Sequence, residues 1–230
     1  MPRSLLFAVL CLTAAGAAAR DGLTTQENAW LHAGAGVIAY AKEIALPLDI
    51  IVQPQDTPDA VPFAMGFEDG RCKLVLSMRG NAQAEAILAP LPDSQRGVMI
   101  EAMTAHEIGH CWRYVQGEWH VLPNGFVEDG AELAVNPQLL EESKTMRETR
   151  REEGFADLVA LAWTRQHHAA QYGQVFAWLE QVRHQRPAVG GSHDTLAWLA
   201  LVKDGSTFST FNTPFEEAGS LWRKGLIEDK

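Results

Sequence analysis

Thr104-Ala105-His106-Glu107-Ile108-Gly109-His110-Cys111 holds two histidines four positions apart, with a glutamate beside the first. On an α-helix, positions i and i+4 share a face. His106 and His110 can therefore reach one metal ion, while Glu107, one step round, points toward a water on that ion. The flanks support a helix. Pro92 precedes Asp93 and Ser94, either of which can act as N-cap, and the chain then runs without proline to Gly117, a C-terminal stop signal. This span predicts a helix of about six turns. Gly97 and Gly109 weaken it slightly. Val98, Met99, Ala102, Met103, Ala105 and Ile108 make it largely apolar, as expected of a helix at the centre of a domain, and two histidines in its middle call for a specific partner.

A third donor is found downstream. Arg151-Glu152-Glu153-Gly154-Phe155-Ala156-Asp157 carries a carboxylate pair, Glu153 and Asp157, again at i and i+4. Two histidines and one glutamate leave a tetrahedral position open, which is the pattern of a catalytic rather than a closed structural zinc site. Asp157 can accept the outer N–H of a ligating histidine and fix its tautomer. The bland alternative is that these acids form the solvated face of a charged helix, since Glu141, Glu142, Lys144, Arg147, Glu148 and Arg150 lie just upstream. Against it, Asp157 sits inside the apolar run Phe155-Ala156 and Leu158 to Trp163, where a lone carboxylate is costly. Glu152 is turned about 100° from Glu153 and is expected to be dispensable. Glu128, Asp129 and His193 are the next candidates for third ligand.

The two motifs together resemble the gluzincins, the thermolysin-like branch of zinc metallopeptidases, in which H-E-x-x-H is followed on a later helix by E-x-x-x-D. The resemblance covers the two motif helices. It implies Zn2+ on His106, His110 and Glu153, Glu107 as general base, Asp157 behind the ligands, and peptide or protein as substrate. It further implies an oxyanion-stabilising side chain beyond the third ligand. His193, in Gly190-Gly191-Ser192-His193-Asp194, is the candidate for this role, and Tyr172 is the reserve. The implied fold is α+β and zincin-like: a small strand-bearing N-terminal lobe, a helical C-terminal lobe and the zinc cleft between them. In that family, a strand ahead of the motif helix forms the sheet edge and pairs with an extended peptide. Lys73–Met78 is placed there, with an ordinary interior strand as the alternative. Two rival functions remain: a zinc-binding protein on a zincin scaffold with little turnover, against which the intact Glu107 speaks, and a hydrolase of non-peptide amides.

The chain has 230 residues, 47% of them hydrophobic, and a formal charge of −10. That fits one globular domain and disfavours nucleic acid or an anionic membrane surface as partner. Residues 1–19 read as a signal peptide: Arg3, an apolar stretch from Leu5 to Leu12, and Ala17-Ala18-Ala19 ahead of Arg20. The domain is then 20–230, secreted or periplasmic, with no stable membrane association. Cleavage removes Cys11 and leaves Cys72 and Cys111, which either pair as a disulfide or stay as buried thiols.

Elsewhere, Thr25 can cap a helix running to Ile44. Leu48–Gln53 reads as a strand, Pro54–Gly70 as a surface loop, and Gln116–Asn136 as loop-rich. Asn136-Pro137 opens the acidic helix, and Tyr172–Gln185 is another helix. Ser192 can cap Asp194–Val202, and Thr213-Pro214-Phe215-Glu216 fits a capping box for the last helix. His167, His168 and His184 fall on polar helix faces and are expected to be solvated. His32 and His120 show no partner pattern.

Overall fold

Along Arg71–Arg79, Cys72, Leu74, Leu76 and Met78 alternate with less buried positions, the period of a strand with one face in the core. In the computed structural model, which describes residues 22–55, 61–126, 137–185, 191–209 and 212–228, this strand is the middle of a three-stranded sheet. The elements in chain order are α1 (Thr25–Ala33), α2 (Ala35–Glu43), β1 (Leu48–Pro54), β2 (Phe63–Glu68), β3 (Arg71–Arg79) and α3 (Ala82–Ala86), then α4 (Asp93–Val115), α5 (Pro137–His167), α6 (Tyr172–Gln185), α7 (Leu196–Leu199) and α8 (Pro214–Glu228). The fold is α+β, and all the described strands precede α3. β1 runs parallel to β3, and β2 runs antiparallel to it, so the sheet order is β1-β3-β2.

Three expectations change here. The strand over Lys73–Met78 is interior; the sheet edge beside α4 is β2, which lies in the stretch read as a loop. Phe63-Ala64-Met65-Gly66-Phe67 has neither β-branched residues nor polar alternation, so its strand character comes from pairing with β3 rather than from propensity. The first helix is two helices broken at Gly34, where a Cβ would lie 2.5 Å from the Thr104 hydroxyl on α4. Its cap is Thr24 rather than Thr25, in a full capping box with Glu27. The helix after Ser192 is short, followed by a 3-10 turn (Ala200–Val202), and it starts after Thr195.

Other readings agree with the structure. α4 spans the motif, α5 begins at Pro137, α6 covers Tyr172–Gln185, and Thr213 and Glu216 exchange backbone hydrogen bonds at the start of α8. Cys72 and Cys111 form a disulfide with a Cα separation of 5.6 Å, which ties β3 to α4 one residue past His110. The 1–19 signal reading, Glu128 and Asp129 lie outside the described residues. No described helix is long and apolar enough to cross a membrane.

The helical layer closes around Trp198 on α7. Its ring is fully buried between Gly154 of α5 and Gly225 of α8, where an added Cβ would lie 2.4 Å and 2.2 Å from ring atoms. Only glycine permits this approach. Gly154→Ala is expected to lower stability by at least about 1–3 kcal/mol through overpacking, read from chemical denaturation; an unchanged midpoint would show that the Trp198 packing is looser than described.

Candidate metal centre

Gly109 lies between the two motif histidines, and its missing side chain decides how close α5 can come. A Cβ there would sit 3.2 Å from the Ala156 Cα and from the Val159 Cβ. With the helices this close, Glu153 of α5 faces His106 and His110 of α4. The His106 and His110 Nε2 atoms are 3.1 Å apart, and the Glu153 carboxylate oxygens lie 3.5 Å and 3.4 Å from them. Four ligands at about 2.0–2.1 Å from a tetrahedral metal are separated by about 3.3 Å, a spacing close to that of these donors. His106, His110 and Glu153 form a group that can hold a metal ion, the one such group among the described residues.

Behind the ligands stands Asp157, one turn along α5 and completely buried. One of its oxygens accepts from His106 Nδ1 at 2.9 Å and from Arg183 at 2.6 Å; the other accepts from Arg183 at 2.8 Å and from the Thr195 hydroxyl at 2.6 Å. With its proton on Nδ1, His106 turns the Nε2 lone pair toward the metal position. Burial raises the Asp157 pKa, but the Arg183 charge and the His106 hydrogen bond outweigh it and hold it at about 2. Arg183, on α6, also donates to Glu153 at 3.0 Å. His110 has no counterpart to Asp157: its Nδ1 is buried without a hydrogen-bond partner among the described residues, and its ring packs edge-on to Trp119.

Without metal, the cluster holds protons differently. Burial pulls the His106 pKa down, yet the hydrogen bonds to Asp157 and Glu153 raise it to about 10. Burial likewise opposes ionisation of Glu153, but His106 and His110 keep it well below the usual carboxylate range. Glu107 lines the same cleft, of about 300 Å³. Burial raises its pKa, while the two histidines and a backbone hydrogen bond from Met65 work against the rise.

That bond locates the sheet edge relative to the site. Ser77 N–H donates to the Pro62 carbonyl at 2.9 Å, and Pro62 is opposite Ser77 in the β2–β3 register. Antiparallel alternation then puts the backbone groups of Phe63, Met65 and Phe67 on the outer edge of β2, facing the cleft. His193 lines the same cleft, half exposed, with Nε2 3.7 Å from Glu153 and Nδ1 3.0 Å from the Ser192 hydroxyl. Tyr172 is elsewhere: it is buried, its hydroxyl donating to the Val202 carbonyl, and it does not line the cleft.

Glu152 is built into the core. It is 1% exposed and pairs with Arg113, 2% exposed, at 2.7 and 3.0 Å, while also accepting from the His120 backbone at 2.9 Å. Arg113 further donates to the Glu118 and Val121 carbonyls and lies 4.0 Å over the Trp222 ring. The pair thus fixes the loop that brings Trp119 against His110. Helix geometry turns Glu152 away from the metal position as expected, but into the core rather than into water. His168 is likewise paired, at 2.8 Å from Glu101, and His167 stacks on Trp163.

Glu153→Ala should lose bound metal, and Asp157→Ala should weaken metal affinity about 10- to 100-fold. Glu152→Ala should keep the metal site but cost about 3–5 kcal/mol of stability by stranding the buried Arg113. Elemental analysis and denaturation of the three proteins separate these effects; normal metal content in Glu153→Ala would move the third ligand elsewhere. Because a metal must displace the proton that His106 carries below about 10, affinity should rise roughly tenfold per pH unit across the neutral range, measured by chelator competition. A flat profile would mean that His106 is already neutral in the metal-free protein.

Comparisons with protein-family models, with curated proteins and with solved structures find no match to this chain, so its chemistry is read from the geometry of the site itself.

Proposed function

We propose that this chain is a zinc-dependent peptidase of the zincin type, exported by its N-terminal segment and acting on peptide or protein substrates. The observation that carries this reading is the position of Glu107: a partly exposed carboxylate in the cleft, beside three convergent metal donors and hydrogen-bonded to the open edge of β2. A site that only stored or sensed a metal would have no use for a base there.

Zinc held by His106, His110 and Glu153 would supply Lewis acidity to the scissile carbonyl and to the attacking water. The chain's own residues do the rest. Glu107 takes the water proton and passes it to the leaving amine, a transfer favoured by a pKa that burial moves toward neutrality. The outer edge of β2 pairs with an extended backbone and lays the scissile bond across the donors. His193 Nε2, close to Glu153, is the group available to steady the carbonyl oxygen, and Asp157 with Arg183 keeps His106 and Glu153 from shifting as charge develops.

Glu107→Gln should bind zinc with unchanged stoichiometry, because this side chain is not a donor, while hydrolysis of a mixed peptide substrate falls about 10²–10⁴-fold. Turnover equal to the parent's would rule out Glu107 as the base. No chelator-sensitive hydrolysis by the parent on any peptide would rule out the peptidase reading.

A further inference from the structure

A second groove, of about 460 Å³, lies between α3, the start of α4 and one face of α6. Ile87, Trp178 and Val182 line both this groove and the metal cleft, so the two adjoin along these side chains. Its chemistry differs from the rest of the surface. Of the twelve glutamines in the chain, Gln83, Gln95, Gln174, Gln181 and Gln185 line the groove. No Asp, Glu, Lys or Arg does so among the described residues, in a chain where 21% of residues are charged. Gln174, Trp178, Gln181 and Gln185 follow one another at helical spacing on α6, so the pattern belongs to one helix face.

Each glutamine amide offers two donors and an acceptor, matching the alternating N–H and C=O groups of a peptide backbone and neutral polar side chains. The apolar floor, with Ile87, Leu91 and Val182, accepts aliphatic groups. A charged side chain would lose water there without meeting a counterion among the described residues. We propose that this groove holds the flank of the substrate polypeptide beyond the bond placed at the metal centre, and that it selects uncharged residues in that flank. The proposal rests on the peptidase reading for what occupies the cleft. The groove's neutrality sets the selection, by exclusion of charge rather than by one dedicated contact.

The test uses the mature, zinc-loaded Glu107→Gln protein, so that peptides bind without being consumed. Fluorescent peptides share one short core and carry a flank, on either side in turn, of Ser, Asn, Gln and Ala or of the same length with two Asp or two Lys. Neutral flanks on one side should bind at least about tenfold more tightly than either charged set. Gln181 is exposed, so its replacement leaves the fold intact. Gln181→Lys should improve binding of the acidic flank about 3- to 10-fold and Gln181→Glu should weaken it, a reversal that a purely structural role would not produce. Equal affinity for all flanks, no peptide binding, Gln181 variants that leave the ranking unchanged, or displacement of the peptides by a neutral oligosaccharide would each overturn the assignment. Hydrolysis by the parent protein separates the two claims. Flank selection without cleavage by the parent would sink the peptidase reading alone, and cleavage of the core without flank selection would sink the groove alone.

Discussion

A carboxylate with no exposed surface is among the costliest groups to place inside a protein, and Asp157 is tolerated because four hydrogen bonds fill its two oxygens. Those bonds come from α4, α6 and the residue before α7, so one side chain on α5 fixes four pieces of the helical layer. The same bonds orient the metal donors. His106 is turned by Asp157, and Glu153 is held by the Arg183 that Asp157 anchors. Stability and site geometry are therefore coupled, and loss of any partner leaves a buried charge exposed to the rest.

A second buried pair works in parallel on the other side of His110. Arg113 and Glu152 join α4 to α5 and fasten the turn carrying Trp119, whose ring packs on His110, the histidine whose Nδ1 has no hydrogen-bond partner among the described residues. The two motif histidines are thus held by different physics, one by a charged network and one by an aromatic wall. Gly109 and the Cys72–Cys111 disulfide set the distance between the layers within which both arrangements operate.

The local part of this design is legible in the sequence because helical spacing alone places His106 with His110 and Glu153 with Asp157. The long-range part is not. Arg183 and Thr195 reach Asp157 from elements 26 and 38 residues away, and no spacing rule connects them. A clue does exist: Tyr172, Val175, Phe176, Leu179 and Arg183 fall on one buried stripe of α6, and an arginine on such a stripe requires an acid opposite it. Arg113 on the buried face of α4 carries the same signal for Glu152, to which metal geometry alone gives no role. β2 was hidden for another reason. Its residues acquire strand structure only from register with β3, and its Pro- and acid-rich neighbours resemble a loop.

His106, His110 and Glu153 are expected to meet at one ion, and X-ray absorption spectroscopy of the zinc-loaded protein measures that directly. Two imidazole nitrogens at about 2.0–2.1 Å, with the remaining donors oxygen and no sulfur, is the expected shell. A sulfur scatterer, or a shell with a single imidazole, would contradict it.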